Sequence, residues 1–129
     1  MDELLEKSLL YDFYGELLSE KQKNIYEDVV FNDFSLSEVA SSYGISRQGV
    51  FDTIKRCNHS LSSYEEKLGL VNKFLDISEK SKEIDNICKD IKLKLSNNDE
   101  KDVKSEYIKN LSLKIDEIMK LTNTIVDEL

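Results

Sequence analysis

The sequence predicts an all-α protein, and three features of the chain lead to this prediction. It contains no proline and only four glycines among 129 residues, so long helices can form without interruption. Apolar residues recur every three or four positions along most of the chain, as they do in amphipathic helices. Ser19 with Gln22, and Ser35 with Glu38, have the spacing of a capping box, in which two side chains satisfy free backbone N–H groups at a helix start.

Two helices are expected before the second of these capping boxes. Residues 4–18 place leucine and aromatic side chains largely at three- and four-residue spacing, which predicts an opening helix with a broad apolar face. A second helix is expected from about Glu20 to Phe31, because apolar residues fall on one of its faces after the box at Ser19. Residues 32–33 then suit a turn.

The spacing of a helix-turn-helix occurs at residues 34–54, FSLSEVASSYGISRQGVFDTI. Ala40 is small enough for a second helix to cross closely, and Gly44 stands at the turn, where a positive φ favours a residue without Cβ. Ser46 can cap the next helix, whose Val50 faces inward. In many proteins this unit offers its second helix to a nucleic acid; the alternative is a compact helical corner used for packing or protein contact. The expected core packs Ala40, Val50 and Ile54 against Leu17, Ile25 and Val29.

Two long amphipathic stretches follow the helix-turn-helix. The inward stripe of the second motif helix continues until Gly69, a weak break, and residues 70–95 then take up the alternating four- and three-residue spacing of a coiled-coil seam. Residues 96–99 predict a polar turn, and residues 108–129 repeat the seam. We therefore expect long amphipathic C-terminal helices.

The chain is expected to have two parts, a helix-turn-helix domain at residues 1–69 and a C-terminal helical hairpin or oligomerisation element at residues 70–129. The two C-terminal helices can pair within one chain or between chains. We expect a homodimer held by this half, because two apolar stripes this broad, packed only on each other, would leave apolar surface in water. The argument weakens if these helices cover the N-terminal core instead.

Composition argues against several classes of protein. The chain has no run of about 18 apolar residues for membrane insertion and no basic-then-apolar leader for secretion, so we expect a cytoplasmic protein. Cys57 and Cys88 lie 31 residues apart and are expected to be buried free thiols. His59 is the only histidine, adjacent carboxylates diverge on a helix, and no glycine-rich phosphate loop occurs. We therefore expect no catalytic site, no metal and no cofactor.

The side chains that could bind a nucleic acid lie on the second helix of the motif. Counting about 100° per residue from Val50, an outward arc holds polar and basic residues, with Asp52 in its middle, where it would repel phosphate. The net charge is −8 for the chain but +2 from Ser46 to His59, so the basic footprint is local and strong duplex binding is not expected. The candidate nucleic-acid-binding residues are Ser46, Arg47, Gln48, Lys55 and Arg56.

Four segments within residues 11–74, LLSEKQ, SLSEVA, ISRQGVFDTIKR and YEEKL, resemble the YlxM family of small bacterial proteins. The resemblance implies a helix-turn-helix similar to region 4 of primary sigma factors and a role with the signal recognition particle. Gly49 stands where the family usually has alanine, which should loosen the helix start by up to ~1 kcal/mol. The positions that match the family's motif are Ser46, Arg47, Gln48, Val50, Asp52, Lys55 and Arg56.

The resemblance favours a non-enzymatic regulatory or accessory protein of the signal recognition particle pathway, which contacts the particle's RNA or its GTPase. A DNA-binding transcriptional regulator is the second interpretation. A protein-interaction scaffold, which keeps the helix-turn-helix only as a fold, is the third. The pattern of residues leaves all three open.

Overall fold

The computed structural model describes residues 2–96 and 103–127, except the side chains of 103–105, and all regular structure in these residues is helical. The all-α prediction is confirmed. The helices are α1 (Glu3–Tyr14), α2 (Glu20–Tyr26, continued by a π-helical turn, Glu27–Phe31), α3 (Leu36–Tyr43), α4 (Arg47–Leu68), α5 (Leu70–Ser96) and α6 (Val103–Asp127), with a 3₁₀ turn, Gly15–Leu17, after α1. None of these described helices has both the length and the apolar composition that a membrane span needs.

Serine side chains cap α2 and α3 where the sequence predicts helix starts. Ser19 Oγ accepts a hydrogen bond from the Gln22 N–H group (3.2 Å), and Gln22 Oε1 accepts one from the Ser19 N–H group (3.1 Å), which completes a capping box. Ser35 Oγ accepts from the Glu38 N–H group (3.1 Å). These bonds satisfy backbone donors that have no partner inside their helix, so they fix where α2 and α3 begin.

The chain forms two compact units, Met1–Val71 and Asn72–Leu129. In the first unit α2, α3 and α4 meet in one apolar core. Its buried members are Ile25, Val39, Ala40 and Val50, and the partly buried residues packed against them are Val29, Leu36, Tyr43, Ile45 and Ile54. Because the inward side of α4 is held in this core, its other side is fixed in direction.

The expectation that Leu17 joins this core is wrong. Leu17 is 57% exposed, whereas Leu18 is 7% exposed. The reason is the 3₁₀ turn that follows the end of α1 at Tyr14. A 3₁₀ turn contains fewer residues than an α-helical turn, so the helical register changes and Leu18 becomes the side chain that points inward.

A buried tyrosine joins α1 to the end of α4. Tyr14 is 1% exposed, and its hydroxyl donates to Glu65 Oε1 (2.6 Å). The same carboxylate oxygen accepts from the Val71 N–H group (2.9 Å), and Tyr14 Oη accepts from the Leu70 N–H group (3.1 Å). Burial, with the bond to Glu65, raises the pKa of Tyr14, so the phenol stays protonated at neutral pH. The network thereby satisfies two N–H groups in the first turn of α5.

The second unit contains most of α5 together with α6. Cys88 on α5 and Ile115 and Thr122 on α6 are buried. Lys92 Nζ lies 2.7 Å from Asp116 Oδ1, so an ion pair links the two helices within one chain. Most of the polar turn expected between them lies outside the described residues.

Replacing Ala40 with leucine should destabilise the first unit. Ala40 is 7% exposed and lies in the core that α2, α3 and α4 share, so a larger side chain would overpack it at a cost of about 1–3 kcal/mol. Thermal unfolding should therefore give a lower melting temperature for Ala40→Leu. Ser41→Leu is the matched control, because Ser41 is exposed on the same helix. An Ala40→Leu protein that melts with the wild type would mean that α3 has room at this position.

Candidate nucleic-acid interface

The turn between α3 and α4 is set by the backbone of Gly44. This residue has a φ of 66° and a ψ of 34°, the left-handed conformation that a residue with a Cβ adopts only at a cost. Apart from its chain neighbours, no heavy atom lies within 4 Å of the position a Cβ would take, so the need for glycine is conformational and not steric. The Ile45 N–H group donates to the Ala40 carbonyl (3.1 Å), and the chain leaves α3 at this point.

Ser46 fixes the first turn of α4. Its Oγ accepts a hydrogen bond from the Gly49 N–H group (2.9 Å), and its carbonyl accepts one from the Val50 N–H group (3.0 Å). The hydroxyl hydrogen takes no part in the bond to Gly49, so Ser46 can still donate to a ligand oxygen. The positive end of the helix dipole at this terminus adds to the attraction for an anionic group.

The structure places the five candidate residues between the N-cap and the third turn of α4, with Arg47 and Arg56 about 180° apart around the helix. Val50 and Cys57 are buried on the inward side of the helix, and the candidate residues lie on its solvent side. Among the residues that the structure describes, none of the three basic candidates takes part in an ion pair. A cation that is not paired with a carboxylate in this part of the chain is available to phosphate. The exposed candidates are Ser46, Arg47, Gln48, Lys55 and Arg56.

Gln48 and Asp52 interact with each other on this surface. Gln48 Nε2 donates to Asp52 Oδ1 (3.0 Å), one helical turn away. The bond uses one of the two N–H hydrogens of the Gln48 amide and fixes the orientation of the amide on the helix surface, which restricts how Gln48 can pair with a base. It also gives Asp52, which the sequence marked as an unfavourable charge, a local partner.

A shallow groove extends the surface beyond the predicted residues. Its lining includes Gln22, which α2 contributes, together with side chains from the second to the fourth turn of α4. Sequence reasoning missed Gln22, because only the packing of α2 against α4 brings it there. The lining residues are Gln22, Asp52, Lys55, Arg56, His59 and Ser60.

Phe51 is the second surface residue that sequence reasoning missed. It is 49% exposed on α4, although it is one of the largest apolar side chains in the motif. A signal was present in the sequence, because Phe51 lies about 100° around the helix from inward-facing Val50 and therefore outside the buried stripe.

The cysteine of α4 lies on the opposite side from this surface. Cys57 is fully buried, and burial raises the pKa of its thiol, which disfavours the reactive thiolate. Both Cys57 and Cys88 are free and buried, as expected. In the described part of the chain, no group of three or more His, Cys, Asp or Glu side chains is placed to hold a metal ion.

Comparison with known proteins tests the family resemblance. Residues 1–110 match the family described as "Putative helix-turn-helix protein, YlxM / p13 like". The chain belongs to this YlxM family. The resemblance in the sequence is thereby confirmed, and the match extends on both sides of the residues 11–74 on which the resemblance rested.

Several relatives in the YlxM family are similar along much of their length, and each is named a UPF0122 protein. The protein of Acetivibrio thermocellus is 44% identical over 129 residues, which cover 100% of this chain and 97% of the relative. That of Thermoanaerobacter sp. (strain X514) is 49% identical over 92 residues, or 71% of this chain and 76% of the relative. That of Caldanaerobacter subterraneus is 51% identical over 83 residues, or 64% and 71%.

Replacing Gly49 with alanine should stabilise α4 by less than helix propensity alone suggests. Alanine gains up to about 1 kcal/mol over glycine inside a helix. A Cβ at this position would lie 3.2 Å from Ser46 Oγ, so the capping side chain would have to shift. A double-mutant cycle measured by thermal unfolding checks this: Gly49→Ala should stabilise the protein more in a Ser46→Ala background than in the wild type. Equal stabilisation in both backgrounds would show that the contact has no cost.

Proposed function

We propose that this YlxM-family protein is a non-enzymatic, cytoplasmic regulatory protein of the signal recognition particle pathway, and that the exposed side of α4 binds the particle's RNA. The observation that carries the proposal is the set of exposed cations on that side, Arg47, Lys55 and Arg56, which form no ion pair within the described residues. Membership of a helix-turn-helix family supports a nucleic-acid-binding or regulatory role. The pathway is what the resemblance to YlxM proteins implies.

The modest charge of this surface favours structured RNA over duplex DNA. Residues 46–59 carry a net charge of +2 in a chain whose net charge is −8. Duplex DNA binding draws much of its affinity from the counterions that many basic contacts release, and few such contacts are available here. Sequence-specific RNA recognition depends more on unpaired bases and on shape, so a small number of cations can suffice.

A second candidate function is regulation of transcription through duplex DNA. Arg47 and Gln48 lie in the first turn of α4, the end of a recognition helix that enters the major groove in helix-turn-helix proteins. Both side chains can pair with base edges through two hydrogen bonds. The bond from Gln48 to Asp52 opposes this use, because it fixes the amide beside a carboxylate that repels phosphate.

Titration of the purified full chain with signal recognition particle RNA and with random duplex DNA, at several salt concentrations, tests the proposal. Preference for the RNA is the expected result. Sequence-selective binding of duplex DNA would favour the transcriptional regulator instead. An absence of binding to either nucleic acid would overturn both and leave protein contact, with the particle's GTPase as the first partner to test.

Removing single charges from α4 should change RNA affinity in opposite directions. Arg47→Ala, Lys55→Ala and Arg56→Ala should each weaken binding and lower the salt dependence by about one released counterion. Asp52→Asn should strengthen binding, because it removes a repulsive charge. Fluorescence anisotropy over a salt series measures both effects. Lys67→Ala is the control, since Lys67 is an exposed cation near the other end of the same helix; a loss in Lys67→Ala equal to the others would mean that binding reflects overall charge only.

We further propose that the protein acts as a homodimer through α5 and α6. The Lys92–Asp116 ion pair defines one side of the helix pair. Counting about 100° per residue from buried Cys88 and Ile115, seven exposed apolar residues of the two helices fall on the other side. This apolar flank consists of Ile84, Ile87 and Ile91 on α5 and Tyr107, Ile118, Leu121 and Ile125 on α6, each between 40% and 65% exposed.

The size of the apolar flank suits a second copy of the chain. Its exposed fractions amount to between three and four whole residues, or about 600 Å² at 150–200 Å² per large side chain. Two such flanks would bury about 1,200 Å², the lower end of a standard protein interface. A twofold axis lets the same surface serve both partners.

Charges placed in the apolar flank should dissociate the dimer. Light scattering of the wild type at tens of micromolar should give twice the 14.9 kDa mass of one chain, and Ile87→Lys or Leu121→Lys should give the mass of one. Leu93→Lys is the control, because Leu93 is 61% exposed but lies on the far side of α5 from the apolar flank. A wild-type protein that scatters as a monomer would exclude the dimer.

A further inference from the structure

Phe51 presents an aromatic ring on the nucleic-acid side of α4. It lies four residues after Arg47 and four before Lys55, so the three side chains follow one another along a single ridge of the helix. Arg47 and Lys55 are exposed, and Phe51 is 49% exposed. The ridge therefore places an apolar ring between two cations, outside the inward stripe that packs the helix.

An unpaired base is the ligand that this arrangement suits. The phenylalanine ring offers no hydrogen-bond donor or acceptor, so its specific contribution to a nucleic acid is stacking against a base or apolar contact with one. Bases inside a duplex already stack on each other, and the deep, narrow major groove of an RNA helix does not admit side chains. Bases in loops and bulges are free to stack on an aromatic ring, while cations beside the ring hold the phosphates.

The charge of the surface points the same way. Stacking is an uncharged contribution to affinity, and a site with a net charge of only +2 has few counterions to release. Lys55 also lines the groove with Arg56 and His59, so it borders both the ridge and the groove. An RNA strand whose base covers Phe51 can therefore continue its backbone along Lys55 and Arg56.

We propose that Phe51 stacks on an unpaired base of a bound RNA, with Arg47 and Lys55 holding the adjoining phosphates. The inference rests on the proposed function and specifies the feature of the RNA that α4 reads. It makes Phe51 a binding residue that adds selectivity for unpaired over paired segments. If Phe51 instead met thymine methyl groups of duplex DNA or the surface of a protein, Phe51→Leu would leave the binding of a bulged RNA unchanged.

The test compares two RNA hairpins that differ only in whether one internal nucleotide, replaced by the fluorescent base 2-aminopurine, is bulged or paired. Wild-type protein should bind the bulged hairpin more tightly and quench its fluorescence, since stacking on an aromatic ring quenches this base. Phe51→Leu, which keeps an apolar side chain and removes the ring, should weaken binding to the bulged hairpin about tenfold and abolish quenching. Phe51→Tyr should retain both properties, because it keeps the ring.

Phe34→Leu is the matched control, because Phe34 is 47% exposed but precedes α3 and is absent from the ridge. It should bind both hairpins as the wild type does. Thermal unfolding of every variant shows whether the fold is kept. We expect that it is, because Phe34 and Phe51 are both exposed. If the wild type binds the bulged hairpin and Phe51→Leu binds it equally well, the stacking inference fails and the proposed function stands. If the wild type binds no RNA at any salt concentration, both fail.

Discussion

The close crossing of α3 and α4 is the constraint on which the rest of the first unit depends. Ala40 is small and buried at the core they share with α2, and Gly44 adopts a left-handed conformation that ends α3 without strain. Ser46 then caps α4 within two residues of that turn. Because the turn is this short, the direction of α4 and the side it shows to solvent follow from three small residues.

The surface that results is a local basic site on an acidic protein. Residues 1–70 contain 13 acidic and 7 basic side chains, yet the first three turns of α4 present three exposed cations. Binding at such a site depends on where the few charges lie and on uncharged contacts beside them, because total charge opposes any polyanion. The proposed function therefore gives weight to Gln48, Asp52 and Phe51, none of which adds positive charge, as well as to the three cations.

Periodicity and capping made much of the fold predictable. The sequence predicted the starts of α2 and α3, the turn at Gly44 and the cap at Ser46. Each of these features depends on residues within a few positions of one another. Leu17 was assigned wrongly because a short 3₁₀ turn shifts the register after α1, and a periodic pattern does not reveal a change of helix type. Boundaries of this kind depend on tertiary packing around the turn.

The sequence by itself determined the all-α class, the helix-turn-helix and the side of α4 that faces solvent, since local hydrogen bonds and helical periodicity decide all three. Tertiary structure alone decided that Gln22 of α2 lines the groove beside Arg56, because these residues are far apart in the chain and meet only through packing. It also decided that the Gln48 amide donates a hydrogen bond to Asp52. This bond depends on the rotamers of both side chains, which their spacing in the sequence does not specify. In the second unit it placed Lys92 beside Asp116 on one side of the helix pair and left the apolar flank on the other side exposed.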